Sequence, residues 1–170
     1  MEARLLLPED GRAYAALRAG ELETQAAGTT SPALVLELGR LARQPSNVIR
    51  DYYATHTVIW GAFDRDLLVG TLAATRRSST RLAHYLWLWG LFVRPPYRGT
   101  PASRVLITAA LDLCERQPLE WRLFGSFDAP NVRAYRFCER YGFAPIAEDA
   151  AALDLPCPAG DIVVERPRGS

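Results

Sequence analysis

The chain has 170 residues, 49% of them hydrophobic and 23% charged, the composition of a folded domain with a sizeable core and not of a disordered or fibrous chain. Twenty basic residues against nineteen acidic ones leave a formal charge of +1, so no global field recruits nucleic acid or an anionic membrane, and any anion site must be local. All the basic residues are arginine and none is lysine, which excludes a lysine Schiff base, a lysine general base and a P-loop lysine.

In chain order, Arg4 to Leu7 reads as a short strand stopped by Pro8, and a first helix follows from about Glu9 to Glu23. Gly28 to Pro32 is a loop with Ser31 as N-cap and Pro32 at the first helical position; Leu34, Leu38 and Leu41 then form the apolar stripe of a second helix ending near Pro45. Thr57 to Phe63 and Leu67 to Thr75 are β-rich runs joined by a short polar connection, an antiparallel hairpin. Leu82 to Val93 is an uncharged run with Tyr85, Trp87 and Trp89 at a spacing of two, the central strand.

Pro95 and Pro96 stop that strand, and Val105 to Cys114 has helical spacing until Gln117 and Pro118. Trp121 to Phe127 alternates as a strand, Asn131 to Tyr141 is a short helix ended by Gly142, and two more strands are expected around Pro145 to Leu155 and Asp161 to Arg166. The order β-α-α-β-β-β-α-β-α-β-β, without an internal repeat or a linker, predicts one α/β domain over residues 1–170, with a mixed sheet of about seven strands flanked by about four helices.

Cys114, Cys138 and Cys157 are odd in number and lack CxxC spacing, so neither a disulfide framework nor a metal site is expected, and the expected compartment is the cytoplasm. The longest stretch without Asp, Glu or Arg, Thr24 to Leu36, holds 13 residues; a membrane span needs about 20, so none is expected. The acidic start MEARLLLPEDGR does not read as a signal peptide.

Two segments carry chemistry. Leu91 to Arg104 is a strand running through a tight turn into a helix, a geometry that aims unpaired N–H groups and the positive end of a helix dipole at one point, as a phosphate site requires. Arg98 and Arg104 add charge there. The second segment, Asn131 to Phe143, is a short helix with Asn131, Tyr135 and Cys138 on one face.

Together these segments resemble the GNAT superfamily of N-acetyltransferases. There a V-x-P-x-Y-R-G-x-G-x-G/A stretch cradles the pyrophosphate of acetyl-CoA, and an N-x-x-A-x-x-F-Y-x-x-x-G-F helix flanks the pantetheine arm. Here Val93, Pro95, Tyr97, Arg98 and Gly99 match the first motif, and Asn131, Ala134, Phe137, Gly142 and Phe143 the second. The resemblance implies a V-splayed sheet and acetyl-CoA as acyl donor. Backbone groups of Leu91, Phe92 and Val93 would pair with the pantetheine, Gly90 would provide a bulge, and Arg98, Gly99, Thr100, Pro101, Ala102, Ser103, Arg104 and Asn131 would contact the cofactor.

Two departures bear on activity. Pro101 stands where the motif has its second glycine and has no N–H to donate; proline is, however, favourable at the first helical position behind Thr100 as N-cap. Cys138 replaces the tyrosine that protonates the departing thiolate; Tyr135 and Tyr141 are alternative donors. The central strand has no carboxylate, and Trp87 sits where the family often has one. His84, His56, Asp51 and Asp128 remain as candidate bases. Tyr85, Trp87, Trp89, Tyr52, Tyr53 and Trp60 either line an acceptor pocket or fill the core. Residues 25–53 would form one wall of the acceptor site, without a strong charge cluster. The function expected is acetyl transfer to a primary amine of a small molecule or peptide by direct attack in a ternary complex. The alternative is a catalytically weak or inactive acyl-CoA-binding regulatory module. The edge near Asp161 to Arg166 is available for a homodimer.

Overall fold

The computed structural model describes residues 1–24, 32–78, 82, 84–116, 122–128, 131–146, 151, 153–157 and 160–166. Among them the elements run β1 (Glu2–Leu5), a 3₁₀ turn (Pro8–Asp10), α1 (Gly11–Thr24), α2 (Pro32–Arg43), α3 (Pro45–Ala54), β2 (Thr57–Asp64), β3 (Leu67–Arg77) and β4 (Tyr85–Val93). A second 3₁₀ turn (Pro95–Tyr97) follows, then α4 (Ala102–Glu115), β5 (Arg122–Asp128), α5 (Val132–Arg140), β6 (Ala144–Pro145) and β7 (Asp161–Arg166). The seven strands form one mixed sheet in the order β1-β2-β3-β4-β5-β7-β6, so the α/β class read from the sequence holds.

The difference from the predicted order is one extra helix. Pro45, read as the stop of the second helix, occupies the first turn of α3 behind Gln44, a place where a missing N–H costs nothing. Among the described residues of the strand expected over 145–155, the strand is Ala144–Pro145, and Asp154 has a φ of +57°, which an extended strand cannot accommodate. The predicted loop and Ser31 cap lie outside the described residues, as does Trp121.

The chain sorts into two compact units, Met1–Ala73 with Gly90–Asp112, and Ala74–Trp89 with Leu113–Ser170. In the first, β1 pairs antiparallel with β2 from Glu2↔Phe63 to Leu5↔Trp60, and β2 leads into β3 through Arg65, whose φ of +55° closes the tight connection. Tyr14 and Leu17 of α1, Leu41 of α2, Ile49 of α3, and Ile59 and Leu68 of the sheet are at most 2% exposed. Each aliphatic side chain sequestered this way contributes about 1.5–3 kcal/mol.

In the second unit, β4 pairs parallel with β5 from Tyr85↔Arg122 to Leu88↔Gly125, and β5 pairs antiparallel with β7 from Leu123↔Arg166 to Asp128↔Asp161. Tyr85 and Trp87 pack with Phe124, Leu153, Leu155 and Val163, and the Tyr85 ring meets Phe124 edge-on at 5.8 Å. Leu153 and Leu155 thus serve the core from irregular backbone.

Candidate functional site

The end of β4 and the start of α4 belong to the first unit. Gly90 has a φ of +65°, a conformation that costs other L-residues about 1–2 kcal/mol, and its carbonyl accepts a hydrogen bond from the Thr71 hydroxyl at 3.3 Å. Beyond it Leu91 is exposed while Phe92 is buried, the alternation of a strand with one open face. Arg94 locks the strand end: its backbone N–H donates to Val69 at 2.9 Å and its side chain to the Leu68 carbonyl at 3.0 Å.

The turn then tightens through Pro95–Tyr97. The Thr100 hydroxyl donates to the Tyr97 carbonyl at 2.6 Å and accepts from the Ala102 N–H at 3.4 Å. Gly99 has a φ of +84°, and nothing lies within 4 Å of where its Cβ would stand. The first bond of α4 runs from Val105 N–H to the Pro101 carbonyl at 3.0 Å, so Pro101 is itself the N-cap and Thr100 stands one residue before it, a shift of one from the sequence reading. Among the described residues the N–H groups of Gly99, Ser103 and Arg104 have no acceptor, and the exposed guanidinium groups of Arg98 and Arg104 flank them. Arg98 Nε donates to the Val93 carbonyl at 3.3 Å. Three free donors, the positive end of a helix and open space over a glycine fit the phosphates of a nucleotide cofactor. Pro101 alone offers no donor.

The same unit holds a polar cluster that the sequence reading missed. Glu37 of α2 accepts from the Tyr14 hydroxyl at 2.7 Å, from the Tyr52 hydroxyl at 2.6 Å and from Arg18 Nε at 2.9 Å. Arg18 also binds Glu21. Arg18 and Glu37 are 5% and 7% exposed. Burial and the Glu37 charge push the phenols of Tyr14 and Tyr52 upward. Burial opposes the charge on Arg18, but Tyr14, Glu37 and Glu21 outweigh it and raise its pKa. Residues 25–53 therefore do contribute to a strong charge cluster, contrary to expectation. The signal was present in Tyr14, Arg18 and Glu21 at i, i+4 and i+7, and in Glu37 interrupting the stripe of Leu34 and Leu41.

The α5 candidates stand in the second unit. Asn131 caps α5, its side chain accepting from Ala134 N–H at 3.0 Å, so the backbone start of this helix is its own partner. Tyr135 is exposed with its ring edge-on to Phe127 at 6.3 Å. Cys138 is half-buried, and that burial pushes its thiol up to about 11. Tyr141 lies against Phe137 at 4.9 Å.

The remaining candidates are spread out. Tyr85, Trp87 and Trp60 are buried among the core residues. Trp89 donates to Thr75 at 2.8 Å, and Tyr53 donates to the Leu6 carbonyl. Asp51 pairs with Arg40 on the surface, while His84 and His56 are exposed. Among the described residues no group of His, Cys, Asp and Glu is arranged to hold a metal, and no helix is long and apolar enough to cross a membrane.

Solved structures share this architecture. The PaiA N-acetyltransferase of Thermoplasma acidophilum in complex with coenzyme A superposes with a TM-score of 0.72 at 16% identity, covering 98% of each chain. A GNAT-family acetyltransferase of Staphylococcus aureus gives 0.74 at 15% identity over 97% of each. An Arabidopsis thaliana protein in complex with the bisubstrate analogue CoA-Ac-MVNAL gives 0.62 at 17% identity, over 98% of this chain and 99% of that one. No match was found among curated proteins. The model of the Acetyltransferase (GNAT) family matches residues 32–143, a span that contains β4, the turn and both motifs; the chain belongs to the GNAT acetyltransferase family, whose acyl donor is acetyl-CoA.

Proposed function

We propose that the chain transfers an acetyl group from acetyl-CoA to a primary amine of a small molecule or peptide, by direct attack within a ternary complex. The observation that supports this reading most is the Gly90–Arg104 segment, where two left-handed glycines and the free N–H groups of Gly99, Ser103 and Arg104 meet the start of α4. The backbone of Leu91, Phe92 and Val93 pairs with the amide arm of the donor and holds the thioester beside Gly90. N–H groups there polarise its carbonyl as charge develops on oxygen. Arg98, Arg104 and the backbone of Gly99 to Ser103 hold the pyrophosphate. The motif shared with the family assigns the segment carrying Asn131, Tyr135 and Cys138 to donor binding, and Tyr135 or solvent is the proposed source of the proton returned to the thiolate.

A second reading, a non-catalytic acyl-CoA-binding module, is favoured by Pro101 without its N–H and by the Cys138 thiol raised to about 11. One experiment separates the two: free CoA release measured with acetyl-CoA and a panel of polyamines, aminoglycosides, amino acids and peptides with free N-termini. Amine-dependent release with an acetylated product by mass supports transfer. Saturable acetyl-CoA binding without release by any amine supports the module.

A further inference from the structure

The acetyl transfer proposed above leaves open which group removes the acceptor's proton, since β4 (Tyr85–Val93) contains no Asp or Glu. Resting on that reading, we propose that Glu21 of α1 is the proton acceptor for the attacking amine.

The placement follows from Gly90. Its absent side chain leaves room, and the nearest atom to the point where a Cβ would stand is Arg18 Nη1, at 3.9 Å. That same nitrogen binds Glu21 Oε2, so the carboxylate lies one hydrogen bond from the open side of the residue that precedes Leu91. The two carboxylates of the cluster differ. Glu37 is saturated by Tyr14, Tyr52 and Arg18 and its side chain is 6% exposed. Glu21 keeps Oε1 without a partner among the described residues, and its side chain is 16% exposed, which leaves it reachable by an amine or a water. The charged and titratable groups around it are Arg18 on its own helix and Glu37 of α2, with Tyr14 and Tyr52 bonded behind Glu37. Burial raises its pKa, Arg18 pulls it down and the Glu37 charge raises it further, with a net rise toward the range in which a general base works. Arg18 also disfavours a second cation beside Gly90, so it assists loss of the ammonium proton.

In the reaction the ammonium gives one proton to Glu21. The nitrogen lone pair then forms the N–C bond to the thioester carbon, and the C–S bond breaks with its electron pair on sulfur. The second nitrogen proton ends on that sulfur, giving an acetamide and CoA as thiol, and Glu21 passes its proton to solvent.

The test uses the fastest-reacting amine of the panel. Glu21→Gln is expected to lower kcat/KM about 100-fold or more at pH 7, with the acetyl-CoA dissociation constant within threefold. The acid limb of the pH profile should disappear, and the loss should shrink as pH approaches the amine's own pKa. Glu21→Asp should recover part of the rate at pH 7. A purely structural role would not change the pH profile selectively. Glu21→Gln that keeps the acid limb and a rate within threefold overturns the assignment while leaving acetyl transfer standing. Failure of the unmodified chain to acetylate any amine despite binding acetyl-CoA overturns the transfer reading and this assignment with it.

Discussion

Arg18 and Glu37, on different helices, meet through both Nε and Nη2 at 2.9 Å with both side chains 6% exposed. A fork of this kind in a water-poor site ties α1 to α2 in one register. Its net worth over an apolar pair is small, but removing one partner strands the other. Arg18→Ala leaves two carboxylates without their cation and is expected to cost about 3–5 kcal/mol, read as a large drop in thermal midpoint. Glu37→Gln, which keeps acceptor capacity for Tyr14 or Tyr52, should cost less. Equal midpoints for Arg18→Ala and the unmodified chain would refute this ranking.

At the start of α4 two substitutions should act in opposite directions on acetyl-CoA affinity. Arg98→Ala removes an exposed guanidinium from the anion-facing turn and should weaken binding several-fold, since a charge-assisted hydrogen bond contributes about 1.5–3 kcal/mol before solvent screening. Pro101→Gly adds the N–H that the turn lacks and should tighten binding, while loss of the ring's preorganisation lowers stability by about 0.4–1 kcal/mol. Calorimetry and a melting curve on the same samples check both. Tighter binding after Arg98→Ala, or unchanged binding after Pro101→Gly, would contradict the assignment of donors.

Cys138 should matter little to turnover. With its thiol at about 11, it is a weaker acid than an ordinary thiol of about 9, so passing a proton to a departing thiolate runs uphill. Cys138→Ala is therefore expected to lower kcat by less than tenfold with acetyl-CoA affinity intact. A loss of 100-fold would show that this cysteine is the acid.

Alkaline stability has a definite sign. Tyr14, Tyr52 and Cys138 all have raised pKa values in the folded chain, so the folded state holds protons that the unfolded state releases. Their contribution is fully present below about pH 9, the ordinary value for cysteine, and is lost as pH rises through the folded values. Unfolding midpoints should fall steadily between about pH 9 and 11, and Cys138→Ala should flatten the early part of that fall. A midpoint that stays level across this range would count against the burial of all three.

Much of the frame was legible because punctuation and period agreed. Prolines and glycines bounded β4, α4 and α5, and the strand over Asp161–Arg166 appeared with the boundaries read from the sequence. Pro45 was misread because the same residue ends one helix and opens another, and sequence does not distinguish the two roles. The turn that leads into α4 was visible because its residues are contiguous. The Arg18 cluster was hidden because its members come from three helices; only packing turns Glu37, a polar residue at one position of an apolar stripe, into the centre of a network. Aromatic residues on β4 were ambiguous for a related reason: alternation fixes a face, and burial on both faces at Tyr85 to Leu88 then removes the distinction.

The use of arginine for every basic residue has a chemical consequence. A thioester that meets a lysine ε-amino group on a protein in time acylates it and erases its charge. Arginine side chains are non-nucleophilic under the same conditions, so Arg98, Arg104 and the other basic residues keep their charge in the presence of an activated acyl donor. With no lysine anywhere in the chain, the protein offers its own acyl donor no side-chain amine to damage.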